Sequence, residues 1–189
     1  DAIENFTQAY IRAAGTREAE AEWPVSAYNL ARGLQRKGGL ENKKRAIALG
    51  MEAVGGFAME FFKGYKNEND RATAGMNERT RMAVAALFTG GNPTDAVITT
   101  AIEAALDDPA LHSEFPPEDI AFYPLQLLSE LSTTKEDIPP VIRKLCIRGM
   151  QGLSARQANV TTSTLEEPVQ SFCIRELERK RSSLARLAV

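Results

Sequence analysis

Residues 41–65, ENKKRAIALGMEAVGGFAMEFFKGY, constrain the fold more than any other part of the chain. Ile47, Met51, Val54, Ala58, Phe61 and Tyr65 recur at alternating steps of four and three, which places them on one face of a helix. Leu49, Ala53 and Phe57 repeat the four-residue step on a neighbouring face, so apolar side chains nearly encircle the rod and leave Glu52 and Glu60 as its main polar breaks. A helix apolar around most of its circumference belongs inside a bundle. Gly50, Gly55 and Gly56 sharpen this expectation. A glycine inside a helix costs roughly 1 kcal/mol relative to alanine, and close helix packing is the compensation expected here, with a break at Gly55-Gly56 as the alternative. A membrane span would need about 20 apolar residues. The apolar part, 46–62, is shorter and carries Glu52 and Glu60, so no span is expected.

The remaining segments read as helices around that rod. Ile3, Phe6, Ala9, Tyr10 and Ala13 make an amphipathic helix over 2–14 that Gly15 closes. Pro24 opens a second over 24–36, with Val25, Tyr28, Leu30, Ala31 and Leu34 on its apolar side and Gly38-Gly39 as a C-cap loop. Trp23 beside that proline reads as a core plug. A turn at 66–70, a helix from Met76 to Phe88 and a helix over 93–106 capped by Asn92-Pro93 follow. The proline-rich region 110–140 still carries Ile120, Phe122, Tyr123, Leu125, Leu127, Leu128 and Leu131, and so reads as folded helix with proline-set corners. A helix over 140–149 is expected next, then a mobile loop over 149–163, which is polar and aperiodic. Thr164 and Glu167 have the spacing of a capping box that would start a C-terminal amphipathic helix over 164–188. No stretch alternates with period two over the length of a strand. The expected fold is all-α, a compact globular multi-helix bundle of about seven to nine helices in one domain, with a subdivision near 90–92 as the alternative.

Chemistry is sparse. The single histidine, His112, sits in a polar turn (DPALHSEF) and reads as a surface residue, which largely excludes a histidine-based triad or multi-histidine metal site, and Cys146 and Cys173 are far apart with no CxxC. The glycine pairs form neither GxGxxG nor a P-loop. The acidic pairs Asp107-Asp108, Glu118-Asp119, Glu136-Asp137 and Glu166-Glu167 all fall at helix boundaries, where they serve the helix ends. No catalytic residue, metal site or cofactor is therefore expected, and the cysteines read as small buried side chains suited to a reducing intracellular compartment. Asp1 with no signal-like segment after it reads as a processed or trimmed start.

Charge is distributed unevenly despite a formal net of −2. Residues 32–45 hold six bases (Arg32, Arg36, Lys37, Lys43, Lys44, Arg45) against one acid, and 92–140 hold ten acids against one base. Complementary docking and an anion-binding patch both follow from such segregation. The C-terminal helix adds an apolar stripe of Val169, Cys173, Leu177, Leu184 and Ala188 that exceeds the needs of one small core. These features point to a non-enzymatic scaffold or assembly subunit that binds a protein partner or itself. The alternatives are a nucleocapsid-like nucleic-acid binder using 32–45 and a carrier of an apolar ligand or pigment lined by Phe57, Phe61, Phe62, Phe88, Phe122 and Tyr123. The basic patch has no stacking ring in sequence apart from Tyr28, which weakens the nucleic-acid reading.

Overall fold

A computed structural model describes residues 2–15, 22–62, 95–107, 117–132 and 135–189. Among them are seven α-helices: α1 (Ala2–Gly15), α2 (Trp23–Lys37), α3 (Leu40–Phe62), α4 (Asp95–Asp107), α5 (Pro117–Leu131), α6 (Pro140–Thr161) and α7 (Glu167–Ala188). One 3-10 turn, Lys135–Asp137, precedes α6. No strand occurs among the described residues, and the fold is all-α and compact. The helix expected from Met76 to Phe88, the turn at 66–70, the Asn92-Pro93 cap, Gly90-Gly91 and His112 lie outside the described residues, as does the end of the rod at 63–65.

Within α3 the buried side chains are Ala46, Ile47, Leu49, Ala53, Val54 and Ala58, and the helix packs against α2, α4 and α5. Its glycines let those neighbours approach. A Cβ at Gly50 would lie 2.8 Å from Leu128 Cδ2 of α5, and one at Gly56 would lie 2.6 Å from Pro24 Cγ and 2.8 Å from Trp23 Cζ3 of α2. At Gly55 it would run into Ile98 of α4, with Ile98 Cβ 2.9 Å away. Each glycine thus seats a different neighbouring helix, and α3 continues through Gly55-Gly56 without a break. Leu30, Leu34, Ile102, Leu125, Leu128, Ile142, Leu153 and Leu184 fill the space between helices, each contributing about 1.5–3 kcal/mol of burial.

Local chemistry places the helix ends. Gly38 stops α2 with its N–H shared between the carbonyls of Leu34 and Gln35 at 3.2 Å, and Gly38 and Gly39 take φ of 76° and 87°, values that favour glycine. Trp23 is buried, as a core plug should be. Its indole N–H has no hydrogen-bond partner among the described residues, a burden of about 1–3 kcal/mol that packing against α3 offsets.

Three expectations are corrected. Residues 149–161 are not a loop but the second half of α6. That half buries only Met150, Leu153 and Val160 among its larger apolar side chains, wholly or in part, and so sparse a pattern reads as aperiodic. The capping box does not form: the N-cap of α7 is Glu166, without a side-chain cap bond. Had Thr164 been the cap, Pro168 would have stood where the first intrahelical N–H is needed; starting at Glu167 frees it, and Gln170 N–H supplies that bond to the Glu166 carbonyl at 2.9 Å. Pro124, expected at a corner, lies inside α5 and is buried there. The cost of about 3 kcal/mol for an interior proline is offset by the burial of Leu125, Leu127, Leu128 and Leu131 around it.

Candidate interaction surfaces

The helices α6 and α7 form an antiparallel hairpin whose corner is tied by the Gln170 side-chain amide, which donates to the carbonyls of Val160 at 2.8 Å and Thr161 at 3.0 Å. The far half of α7 belongs to the core: Leu184 and Leu187 are buried, and Leu177 and Ala188 pack against it. Near the corner α5 has ended, and its Asp119 receives both guanidinium nitrogens of Arg156, one of them at 2.9 Å. Beyond that ion pair a shallow trough of about 410 Å³ opens between α6 and α7, lined by Asn159, Val160, Phe172, Cys173, Glu176 and Leu177 along with Arg156. Phe172 is 58% exposed, Val169 47% and Leu165 46%.

The expected partner face of Val169, Cys173, Leu177 and Leu184 is therefore split. Leu184 faces inward, while Val169 stays outside and is joined by Leu165 and Phe172, which sequence reasoning missed. The missed signal is the pair 169–172 on α7, one helical step apart and beside the core stripe 173–177–184, with Leu165 in the connection just before the helix. The two cysteines differ sharply. Cys146 is fully buried, and burial pushes its thiol up to about 12, so it stays protonated and inert. Cys173 is half-buried and lines the trough.

The basic stretch 32–45 spans the end of α2 and the first turns of α3. Arg32 Nη1 lies 2.8 Å from Glu130 Oε2 of α5 and donates as well to Gln35 Oε1 at 3.0 Å, so one base of the basic stretch is spent on one acid of the acidic stretch. Lys44 pairs with Glu41 at 3.2 Å within the first turn of α3, and Lys43 is half-buried and engaged. Arg36, Lys37 and Arg45 are exposed. Lys43 sits in the first turn of α3, at the positive end of its dipole, an unfavourable place worth about 0.3–1 kcal/mol, and Lys44 and Arg45 follow where that field has faded.

Of the rings expected to line a ligand cavity, the three described ones are not gathered inside. Tyr123 is 65% exposed, Phe122 is half-exposed beside it, and Phe57 packs against the core on α3. Among the described residues, a partly open recess next to Met51, Ile98, Ile102 and Ile142 measures about 80 Å³, below the roughly 300–1,000 Å³ of small-molecule pockets. Phe61 and Phe62 lie at the end of α3, their side chains outside the described set, as does Phe88.

One buried polar contact joins α1 to the rod. Tyr10 Oη donates to Glu52 Oε2 at 2.6 Å. Burial first, then this hydrogen bond and the carboxylate charge, raise the Tyr10 phenol well above its ordinary value, and the Trp23 indole, the weakest influence, opposes them. The contact satisfies Glu52, one of the two polar breaks in the rod.

Among the described residues no cluster of His, Cys, Asp and Glu is placed to hold a metal ion, and no helix is long and apolar enough to cross a membrane. Fold and surfaces together define the class: an all-α bundle with an apolar trough at one corner and partly neutralised charge on its flank. No family model matches the chain, and neither a curated protein nor a solved structure matches it.

Proposed function

We propose that the chain is a non-enzymatic helical interaction module, a scaffold or subunit of a larger assembly, that docks a protein helix along the trough between α6 and α7. The observation that carries this reading is the exposure of Phe172 in the lining of the trough, with Val169 exposed one turn before it on α7 and Leu165 exposed just ahead of that helix. Exposed apolar side chains in and beside a groove are what an amphipathic helix buries on docking. The ion pairs beside the groove, Arg156 with Asp119 and Glu176 with Arg179, give it a polar rim.

The test uses a photo-crosslinking residue in place of the exposed Ser171, with light scattering of the purified chain over a range of concentrations. A discrete protein adduct or a concentration-dependent mass is expected, and Phe172→Glu removes it while leaving the helical circular dichroism unchanged. A chain that stays monomeric and yields no discrete adduct, or an adduct indifferent to Phe172→Glu, overturns the proposal.

A further inference from the structure

A second surface, separate from the trough, gathers three aromatic rings from two helices. Tyr28 of α2 lies 6.3 Å from Tyr123 of α5 between ring centroids at an interplanar angle of 55°, and Phe122 meets Tyr123 edge-on at 5.1 Å. Lys180 of α7 holds its ammonium 4.3 Å above the centre of the Phe122 ring. At the other end of the row, one turn beyond Tyr28, stands Arg32, with Arg36 exposed a further turn along α2. The row therefore runs cation, ring, ring, ring, cation across α7, α5 and α2.

Packing alone accounts for only part of this arrangement. The Tyr28–Tyr123 contact helps hold α2 to α5, but 65% of Tyr123 remains in water, its outer side unused by the fold. A base has two flat faces and its strand carries a phosphate per residue, so an exposed Tyr123 between the half-buried rings of Tyr28 and Phe122, with cations at either end, matches a single strand and not a duplex, whose bases are already stacked. The angle of 55° between Tyr28 and Tyr123 rules out a slot that sandwiches one base between parallel rings. It offers platforms side by side.

We infer that this row is a binding track for single-stranded nucleic acid, with bases stacking on Tyr123 and Tyr28 and phosphates held by Lys180 and Arg36. The track supplies the rings that the basic stretch lacks in sequence, because Tyr123 comes from α5, far along the chain. Glu130 is the counterweight: it engages Arg32 at 2.8 Å and places a negative charge on the path of the strand. With so few cations the affinity is modest and suits low salt.

The experiment is a fluorescence anisotropy titration of the full chain against labelled oligouridine and oligothymidine at ~50 mM salt, with protein up to ~100 µM, the weak end of non-specific binding. Tyr123→Ala is expected to weaken binding by roughly 5- to 150-fold, the range for removal of one stacking platform, while Tyr123→Phe keeps the ring and the affinity. Lys180→Ala is expected to reduce the salt slope by about 0.7, one phosphate contact on a single strand. Glu130→Gln releases Arg32 and tightens binding several-fold at low salt. Unchanged circular dichroism in each variant separates these effects from unfolding. No binding to either strand by the wild-type chain, equal affinity for a duplex, or a Tyr123→Ala variant that binds as well as wild type overturns the inference. None of these readouts depends on docking in the trough, so the two proposals fail separately.

Discussion

Replacing the α3 glycines by alanine one at a time sets helix propensity against packing. Propensity alone favours every replacement by about 1 kcal/mol. A methyl forced into a filled core costs roughly 1–3 kcal/mol, and its place in that range depends on whether the neighbour can move. At Gly50 the neighbour is the tip of Leu128, with Cδ2 at 2.8 Å and Cγ at 3.2 Å, a flexible end that can rotate away; the two effects cancel to about zero. At Gly55 the new methyl meets Ile98 close to its Cβ, 2.9 Å away, and a β-branched side chain on a helix has one strongly preferred rotamer and cannot swing aside. The upper end of the overpacking range less the propensity gain leaves a net loss of about 2 kcal/mol for Gly55→Ala. Gly56→Ala, against the rigid rings of Pro24 and Trp23, falls between them. Urea denaturation followed by helical circular dichroism measures the series, and in a chain of this size the Gly55→Ala loss corresponds to a fall in Tm of roughly 4–8 °C. Ile98→Ala supplies the control: in that background Gly55→Ala is expected to cost less, with a coupling of roughly 0.5–3 kcal/mol. A Gly55→Ala variant as stable as wild type, or additive effects with Ile98→Ala, would refute the packing argument.

Stability is expected to decline on the alkaline side, because the thiol of Cys146 and the phenol of Tyr10 both have raised values in the folded chain. Below pH 9 both are protonated in folded and unfolded chains and stability is full; above it the unfolded thiol ionises first, at its ordinary 9.0, and stability falls by about 1.4 kcal/mol per pH unit toward the folded value of about 12. Tyr10 adds its own loss above its ordinary 10.0. Urea midpoints across pH should show Cys146→Ala flattening the stretch between 9 and 10, with Tyr10→Phe acting only above it; an unaltered decline in Cys146→Ala would count against burial as its cause. Gln170→Ala removes two bonds of about 1 kcal/mol each from the α6–α7 corner and is expected to speed amide exchange there by roughly 5- to 30-fold, sparing Val141–Gly149. Exchange unchanged at the corner would mean that backbone bonds alone hold it.

What could be read in the sequence, and what could not, follows from how many neighbours each segment has. The rod α3 has neighbours on several sides, so its pattern is wide, and its glycines mark where three helices come close. The distal half of α6 carries only Met150, Leu153 and Val160 on its inner side, and so sparse a stripe does not announce a helix. Charge is harder still: the segregation between 32–45 and 92–140 is a count, while Arg32 and Glu130 are 98 positions apart and only the fold brings them together. Tyr123 shows the same limit from the other side. Counted among apolar residues it groups with Leu125, Leu127 and Leu128, yet a step of three from it and then one of four lead to Gln126 and Glu130, a polar line on the outside of α5. A ring in phase with polar residues faces water, whatever its own hydrophobicity. That phase, readable without coordinates, moves Tyr123 from a supposed cavity to the surface, where Tyr28 meets it; Phe122, in phase with the buried Leu125 and Ser129, carries no such signal.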